Sequence, residues 1–158
     1  MTPTTDLCDA HGAKLQVCAP LWRDFGGLDS FSGPIETVRT HDDNTKVRAT
    51  LETPGGGRVL VVDNGGSQAC AVVGGNLGKL AEANGWAGIV VNGYVRDAAE
   101  LATCKTGIKA LGPYPRKSLK ADRGVVGEVV GFWGVTFAPG HFLYADRDGI
   151  VVSETRLG

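Results

Sequence analysis

The residues best suited to chemistry lie in one stretch of the chain, from Gly74 to Glu100. Arg96 and Asp97 stand side by side directly after an apolar run, and Glu100 follows three residues later. Arginine is a permanent cation, and carboxylate oxygens are the ligands that hard divalent metals prefer. The pair therefore indicates a site that binds an anionic ligand together with a metal ion.

A glycine loop opens the same stretch. Gly74, Gly75 and Gly78 let the backbone approach a ligand closely, and the N–H groups near Asn76 and Leu77 fall in the first turn of a predicted helix. First-turn N–H groups have no partners inside the helix, so an anion can bind there. Glycine is common in tight turns of any kind, so this loop alone does not indicate a binding site. Its occurrence together with the Arg-Asp dipeptide does favour one.

The two acidic residues also have a purely structural explanation. Asp97 followed by Glu100 has the Asp-x-x-Glu spacing of a helix N-terminus. There the first residue caps the backbone and the second reaches back to it. On this interpretation both would only begin a helix over residues 98–103, and the sequence alone does not choose between cap and site.

Periodicity predicts the elements that must position these residues. Small and apolar residues recur at helical spacing over residues 77–84, and Gly85 can end that helix. Residues 59–62, 89–91 and 108–111 are short apolar runs that suit covered strands, and residues 35–40 alternate like a half-buried strand. Strands that alternate with helices favour parallel pairing through right-handed crossovers, so we predict an α/β fold. Residues 125–152 carry short β runs split by turns and predict a small additional β layer.

Three further clusters have a functional and a structural interpretation. His41 to Asn44 resembles a metal cluster, but an ordinary turn that begins a helix over residues 45–52 is favoured. Asp63 and Asn64 follow a predicted strand and can approach Asp97, although a glycine turn capped by Asp63 is slightly favoured. The basic cluster consists of Arg116, Lys117, Lys120 and Arg123. Such a cluster usually forms a solvated face, but it can also steer a dicarboxylate toward a cleft.

Composition limits the classes of function. The chain has 158 residues and a formal charge of -1, so we predict one domain over residues 1–158 and no broad attraction to nucleic acid or membranes. No apolar run is long enough to span a bilayer and no signal segment opens the chain, which predicts a cytoplasmic protein. The four cysteines show no Cys-x-x-Cys spacing and are interpreted as reduced thiols.

Several segments of the chain resemble the RraA family. They are residues 58–67, 74–77, 88–97, 134–140 and 144–152. That family contains regulators of ribonuclease E activity and metal-dependent 4-hydroxy-4-methyl-2-oxoglutarate aldolases. The resemblance implies a three-layer β/β/α swivelling-type domain with a mixed central sheet. It also implies a homotrimer whose sites lie at subunit contacts.

Sequences of the aldolase branch of that family share a pattern: Gly or Asp, twenty residues, Arg-Asp, two residues, then Glu or Asp. The pattern falls here on Gly75, Arg96, Asp97 and Glu100. By this resemblance Arg96 and Asp97 are catalytic, Asp97 holds Mg²⁺ or Mn²⁺ with Glu100 acting through a water, and Arg96 joins the backbone at residues 74–77 in binding the pyruvoyl part of a substrate. Several aldolases carry an Asp at the position of Gly75 that orders a catalytic water, so the proton donor is not identified.

The implied activity is cleavage of a 4-hydroxy-2-oxo-dicarboxylate to pyruvate and a second 2-oxo acid, with oxaloacetate decarboxylation as a side reaction. Both reactions leave the pyruvate enolate, whose charge a divalent cation can stabilise. A lysine Schiff base is the other way to stabilise it, but Lys79 is expected on the exposed side of its helix. The alternative function is a non-catalytic regulator that binds a ribonuclease E-like protein. The glycine spacing does not match a nucleotide-binding fingerprint.

Overall fold

The computed structural model describes residues 1–158. The four α-helices are α1 (Thr4–His11), α2 (Thr45–Leu51), α3 (Gly75–Ala83) and α4 (Ala98–Leu101). The first seven strands are β1 (Gln16–Val17), β2 (Arg23–Asp24), β3 (Phe31–Arg39), β4 (Val59–Asp63), β5 (Ala71–Val73), β6 (Gly88–Val95) and β7 (Gly107–Pro113). The last five are β8 (Val125–Val126), β9 (Val130–Phe132), β10 (Val135–Phe137), β11 (Phe142–Asp146) and β12 (Gly149–Ser153).

The centre of the fold is a parallel sheet in the order β3-β4-β6-β7. Val61 of β4 lies between Thr37 of β3 and Val90 of β6, and Ile89 of β6 lies beside Ile108 of β7. The three predicted apolar runs are therefore strands of one sheet. Their parallel pairing, predicted from the alternation of strands and helices, is confirmed.

Strand β3 belongs to two layers of the protein. Residues 31–34 pair antiparallel with β11, whereas residues 35–39 pair parallel with β4. Beyond β11 the sheet continues through β12 to β1, and β9 and β10 form a separate hairpin. The predicted β layer from residues 125–152 is confirmed, and the sheet is mixed as the resemblance implied.

The two faces of the central sheet bury two different cores. Leu60 and Val62 pack into a core of 18 residues that includes the apolar faces of α2, α3 and α4. Val59 and Val61 point the opposite way into a core of 13 residues with β9 to β12. Successive strand residues face opposite sides of a sheet, so this split follows from the pleat. Helices α2, α3 and α4, the central sheet and the second β layer form the three layers of the predicted β/β/α class, and α1 packs against β11 and β12.

A close approach in the sheet explains two of the glycines. Gly88 of β6 and Gly107 of β7 lie opposite each other, and the ring of Phe31 packs across both. A Cβ atom would lie 2.3 Å from a ring carbon at Gly88 and 1.9 Å at Gly107. Only glycine leaves room for the ring at these positions.

The favoured interpretations of two polar clusters are confirmed. The buried Asp43 accepts a hydrogen bond at 2.9 Å from the backbone N–H of Thr45, the first residue of α2, so residues 41–44 form a turn. Asp63 accepts a hydrogen bond from Gly65 N–H at 2.9 Å within its own turn, and Asn64 bonds to Asp42. Asp63 and Asn64 therefore do not reach Asp97.

All four cysteines are free. None of the four α-helices has the length and apolar character that crossing a bilayer requires.

Candidate functional site

The candidate site forms where β5 and β6 end side by side. Val73 of β5 lies beside Val95 of β6, and the N–H of Arg96 donates to the carbonyl of Val73 at 2.9 Å. The chain after β5 enters α3 through Gly74, while the chain after β6 continues into Arg96 and Asp97. Parallel pairing therefore brings the glycine loop and the Arg-Asp dipeptide to one edge of the sheet, as the sequence predicts.

Asp97 points toward the start of α3. One oxygen of its side chain, Oδ2, accepts a hydrogen bond at 2.9 Å from the N–H of Gly75. Asp97 makes no side-chain capping bond to α4, and its backbone is left-handed with φ 59°. Aspartate tolerates this conformation better than most residues, and such outliers cluster at functional sites. The helix-cap interpretation of Asp97 is therefore wrong, and its helix α4 is shorter than predicted.

Glu100 also makes no capping bond. Its Oε1 lies 2.7 Å from Lys79 Nζ on α3. Its Oε2 lies 1.5 Å from the place where a Cβ atom on Gly75 would stand. The carboxyl group of Glu100 thus occupies the space that a side chain at position 75 would fill. The hydrogen bond from Lys79 to Glu100 raises the pKa of Lys79, whereas a Schiff-base lysine needs a lowered pKa.

Gly74 lets both charged groups approach the loop backbone. A Cβ atom there would lie 2.9 Å from Asp97 Oδ2 and 3.5 Å from Arg96 Nε. Within the loop, Leu77 N–H donates to the carbonyl of Gly74 at 3.1 Å, whereas Asn76 N–H has no acceptor in the chain. The expected row of free amides is thus reduced to Asn76, because Gly75 and Leu77 already donate within the chain.

Arg96, Asp97 and the glycine loop line a cleft with a volume of about 80 Å³ that opens to solvent, whereas Glu100 and Lys79 lie outside its lining. Its walls come from the start of α3, the end of β6, the start of α2 and the loop after β7. The residues that line it include Arg48, Gly74 to Leu77, Arg96, Asp97, Lys117, Ser118 and Lys120. The mostly polar lining of this cleft suits an anionic ligand.

The charge of the cleft is strongly positive. Arg48, Arg96, Lys117 and Lys120 line it with a single carboxylate, Asp97, and none of the four cations forms a salt bridge. Of the predicted basic cluster, only Lys117 and Lys120 reach the cleft. Sequence reasoning missed Arg48 and Ser118. The sequence did contain one indication for Arg48: it lies in the first turns of the helix predicted after the polar turn at residues 41–44.

Comparison with known proteins supports one family. The family model described as RraA-like, Aldolase/RraA, matches residues 4–152. A protein of Burkholderia mallei (strain SAVP1) named "Putative 4-hydroxy-4-methyl-2-oxoglutarate aldolase" is 54% identical over 162 residues, which cover 99% of this chain and 98% of that protein.

Two solved structures have the same fold over nearly their whole length. The RNA-processing inhibitor RraA from Thermus thermophilis is 40% identical with a TM-score of 0.96, covering 100% of this chain and 96% of that one. A structure from Geobacillus kaustophilus HTA426, described as an S-adenosylmethionine: 2-dimethylmenaquinone methyltransferase, is 42% identical with a TM-score of 0.95 and covers 99% and 97%.

Proposed function

The chain belongs to the RraA-like family, and we propose that it is a divalent-metal-dependent aldolase. Its substrates would be 4-hydroxy-2-oxo-dicarboxylates of the 4-hydroxy-4-methyl-2-oxoglutarate type, cleaved to pyruvate and a second 2-oxo acid. The observation that carries this proposal is the position of Asp97. Its carboxylate does not cap α4 but accepts a hydrogen bond from the Gly75 N–H, beside the guanidinium of Arg96, which has no carboxylate partner.

Arg96 and the α3 N-terminus would bind the pyruvoyl end of the substrate. Arg96 is half-buried and has no carboxylate partner, so its donors are available to a carboxylate or an enolate oxygen. Asn76 N–H is the free amide of the same wall. A guanidinium and a free helix N-terminal amide that are already in place can stabilise developing negative charge without reorganisation, which is a major source of catalysis.

The side chains present fit a divalent cation held largely by water. Asp97 Oδ2 is bonded to Gly75, and its other oxygen makes no hydrogen bond in the chain. No group of three or more His, Cys, Asp or Glu side chains converges anywhere in the chain. One free carboxylate oxygen, with Glu100 acting through a water, matches Mg²⁺ or Mn²⁺ better than zinc, because Mg²⁺ keeps several of its waters. When bound, the cation would supply a Lewis acid for the enolate oxygen.

We propose that Glu100 assists proton transfer through a water, because its carboxyl group lies beside Gly75 at the start of α3. In the cleavage, the 4-hydroxyl loses its proton, the C3–C4 bond breaks, and its electron pair forms the pyruvate enolate. A proton then returns to C3 and gives pyruvate. The carboxyl group of Glu100 stands where an Asp side chain at position 75 would begin. It can therefore hold the water that accepts the first proton and returns the second. Oxaloacetate decarboxylation would leave the same enolate and need only the second transfer.

A lysine mechanism has less support. The side chain of Lys79 is bonded to Glu100, and that bond raises its pKa. Lys109 is the one lysine that is buried, and it pairs with Asp24 at 3.0 Å outside the cleft. Neither is a desolvated, unpaired amine.

Pyruvate formation coupled to lactate dehydrogenase tests the proposal directly. We expect EDTA to abolish turnover, Mg²⁺ or Mn²⁺ to restore it, and borohydride with pyruvate to have no effect. Arg96→Ala and Asp97→Ala should lose turnover with an unchanged circular dichroism spectrum. Arg116→Ala and Asp148→Ala, which remove the same charges outside the cleft, should stay active. Inactivation by borohydride with pyruvate but not by EDTA would refute the metal mechanism.

A regulatory function is the second candidate, because the Thermus relative described as an RNA-processing inhibitor has the same fold. Wild-type protein that shows no turnover with any divalent metal, yet binds a ribonuclease E-like protein in a pull-down, would favour this candidate.

We also expect a homotrimer with sites at subunit contacts. Leu21 and Trp133 are exposed large apolar side chains on one shared depression, which is consistent with a covered surface. Light scattering should give about three times the mass of the 16.5 kDa chain.

A further inference from the structure

We infer that Lys79 positions Glu100 for its part in proton transfer. The ammonium group of Lys79 holds one oxygen of the Glu100 carboxylate and thereby turns the other oxygen toward Gly75. This inference rests on the proposed function, because it concerns the group that assists proton transfer there. Lys79 is a positioning residue, since it lies outside the lining of the cleft and acts through Glu100.

The two oxygens of the Glu100 carboxylate face different groups. Oε1 lies 2.7 Å from Lys79 Nζ, whereas Oε2 lies 1.5 Å from the place of a Cβ atom on Gly75. The carboxyl carbon and Cγ of Glu100 lie 2.4 Å and 3.0 Å from that place. The end of the Glu100 side chain therefore lies along α3, with one oxygen at Lys79 and the other at Gly75.

The spacing of Gly75 and Lys79 along α3 allows one carboxylate to reach both positions. They are four residues apart, so they lie on the same face of the helix, about 6 Å apart along its axis. Long side chains on a helix lean toward its N-terminus, so the side chain of Lys79 leans toward Gly75. A carboxyl group that occupies the space beside Gly75 is thus within reach of the ammonium group.

The position of α4 does not depend on Lys79. A Cβ atom on Gly78 would lie 2.6 Å from Leu101 Cδ2 and 3.1 Å from Cys104 Sγ, so α4 packs closely against α3 at this glycine. Leu101 is fully buried in the core between the helices and the sheet. Lys79 is the one hydrogen-bond partner that the Glu100 carboxylate has in the chain. Packing therefore fixes the helix, and Lys79 fixes the direction of the Glu100 side chain.

Stability alone does not account for this ion pair. The side chains of Lys79 and Glu100 are 59% and 38% exposed. Ion pairs between solvent-exposed side chains contribute little to folding, because water screens them and ordering two long side chains costs entropy. We therefore expect the loss of Lys79 to change the orientation of Glu100 while Tm stays close to that of the wild type.

Crystal structures of the metal-free wild type and of Lys79→Met test the positioning without any turnover. We expect the carboxyl group of Glu100 to lie beside Gly75 in the wild type and to leave that place in Lys79→Met, while α4 does not move. Lys79→Arg should keep the carboxyl group in place, because a guanidinium also binds carboxylates. A Glu100 carboxyl group that stays beside Gly75 in Lys79→Met would overturn the inference.

Kinetics of pyruvate formation at saturating Mg²⁺ measure the effect on the reaction. Lys79→Met should lower kcat about tenfold, which is part of the roughly 10²–10⁴-fold that a positioned acid or base contributes. KM should change less than about twofold, because Lys79 lies outside the lining of the cleft. Lys79→Arg should keep kcat within about threefold of the wild-type value. Arg39→Met breaks an exposed ion pair of 3.0 Å with Glu128 outside the cleft, and this matched control should leave kcat unchanged.

A double variant shows whether Lys79 acts through Glu100. In a Glu100→Gln background, Lys79→Met should lower kcat no further, because the effects of residues that act as a unit are not additive. Losses that multiply in the double variant would mean that Lys79 acts on the cleft directly, which would overturn the inference. An equal loss of kcat in Arg39→Met would overturn it as well.

These measurements separate the positioning of Glu100 from the proposed function. A wild type that turns over no substrate with any divalent metal refutes the aldolase, whereas displacement of the Glu100 carboxyl group in Lys79→Met crystals would still establish the positioning. An active wild type with an unchanged kcat in Lys79→Met refutes the positioning and leaves the aldolase standing.

Discussion

The position shared by Gly75 and Glu100 can be tested by exchanging the two residues. Three variants are needed: Glu100→Ala, Gly75→Asp and the double variant Gly75→Asp/Glu100→Ala. Each single change removes or displaces the proposed proton carrier. The double change supplies a carboxylate from α3 in the space that Glu100 has vacated.

The geometry sets the expected magnitudes. A Cβ atom on Gly75 would lie 1.5 Å from Oε2 of Glu100 and 2.4 Å from its carboxyl carbon, so the two side chains cannot coexist without movement. A positioned general acid or base contributes roughly 10²–10⁴-fold to a rate. We therefore expect Glu100→Ala to lower kcat by about 10²-fold or more, and Gly75→Asp alone to lower it about tenfold or more. The double variant should recover to within about tenfold of wild type.

Coupled pyruvate formation at saturating Mg²⁺ gives kcat and KM for the four proteins, and thermal unfolding checks that each is folded. Glu52→Ala removes an exposed carboxylate outside the cleft and serves as the control. If Glu100→Ala turned over at the wild-type rate, Glu100 would not carry the proton. If the double variant were no better than the worse single variant, the shared-position argument would fail.

Three further outcomes follow from the contacts described above. Arg96→Lys should lower kcat/KM by about 10²-fold, because an ammonium group cannot make the bidentate hydrogen bonds of a guanidinium. A kcat/KM near the wild-type value would mean that the positive charge alone suffices. A second prediction concerns the buried carboxylate of Asp43. Burial raises the pKa of Asp43, but hydrogen bonds from Thr45 and from the Ala121 backbone outweigh burial and hold that pKa below its ordinary value. The resulting stabilisation is complete above the unfolded-state value of about 3.9 and is lost as the pH falls through the lower folded-state pKa. Asp43→Asn should thus lower Tm at pH 7 and flatten its decline toward pH 2, and an unchanged pH profile would contradict this role. Gly107→Ala should lower the free energy of unfolding by roughly 1–3 kcal/mol in a urea titration, because the added methyl group would lie 1.9 Å from a ring carbon of Phe31. Gly56 has open space around it, so Gly56→Ala measures the effect of backbone strain without crowding.

The strands were predictable because their signal is local. A short apolar run such as residues 59–62 is buried whichever elements cover it, and all four residues are buried here. That Arg96 and Asp97 follow a strand was predictable for the same reason. The short strand β5 before the glycine loop was not predicted, so the expectation that both segments form one site came from their residue types and from the family resemblance.

The side-chain directions at the site depend on residues distant in sequence. Asp97 and Glu100 have the spacing of a helix cap, yet Asp97 bonds to Gly75 and Glu100 to Lys79, which are about twenty residues earlier. Local propensity does not include those partners. Arg48 was missed for the same reason, because it joins the cleft only after α2 has been fixed by Asp43. The packing of Phe31 across Gly88 and Gly107 likewise requires three strands in register.

The replacement of a side chain at position 75 by the carboxyl group of Glu100 has a consequence for how relatives should be compared. A column-by-column alignment counts Gly75 as a missing acid, although in this chain the carboxyl group of Glu100, from the neighbouring helix, occupies the space beside Gly75. Relatives should therefore be sorted by whether either position supplies that group. A chain with a small uncharged residue at both positions would be the informative exception.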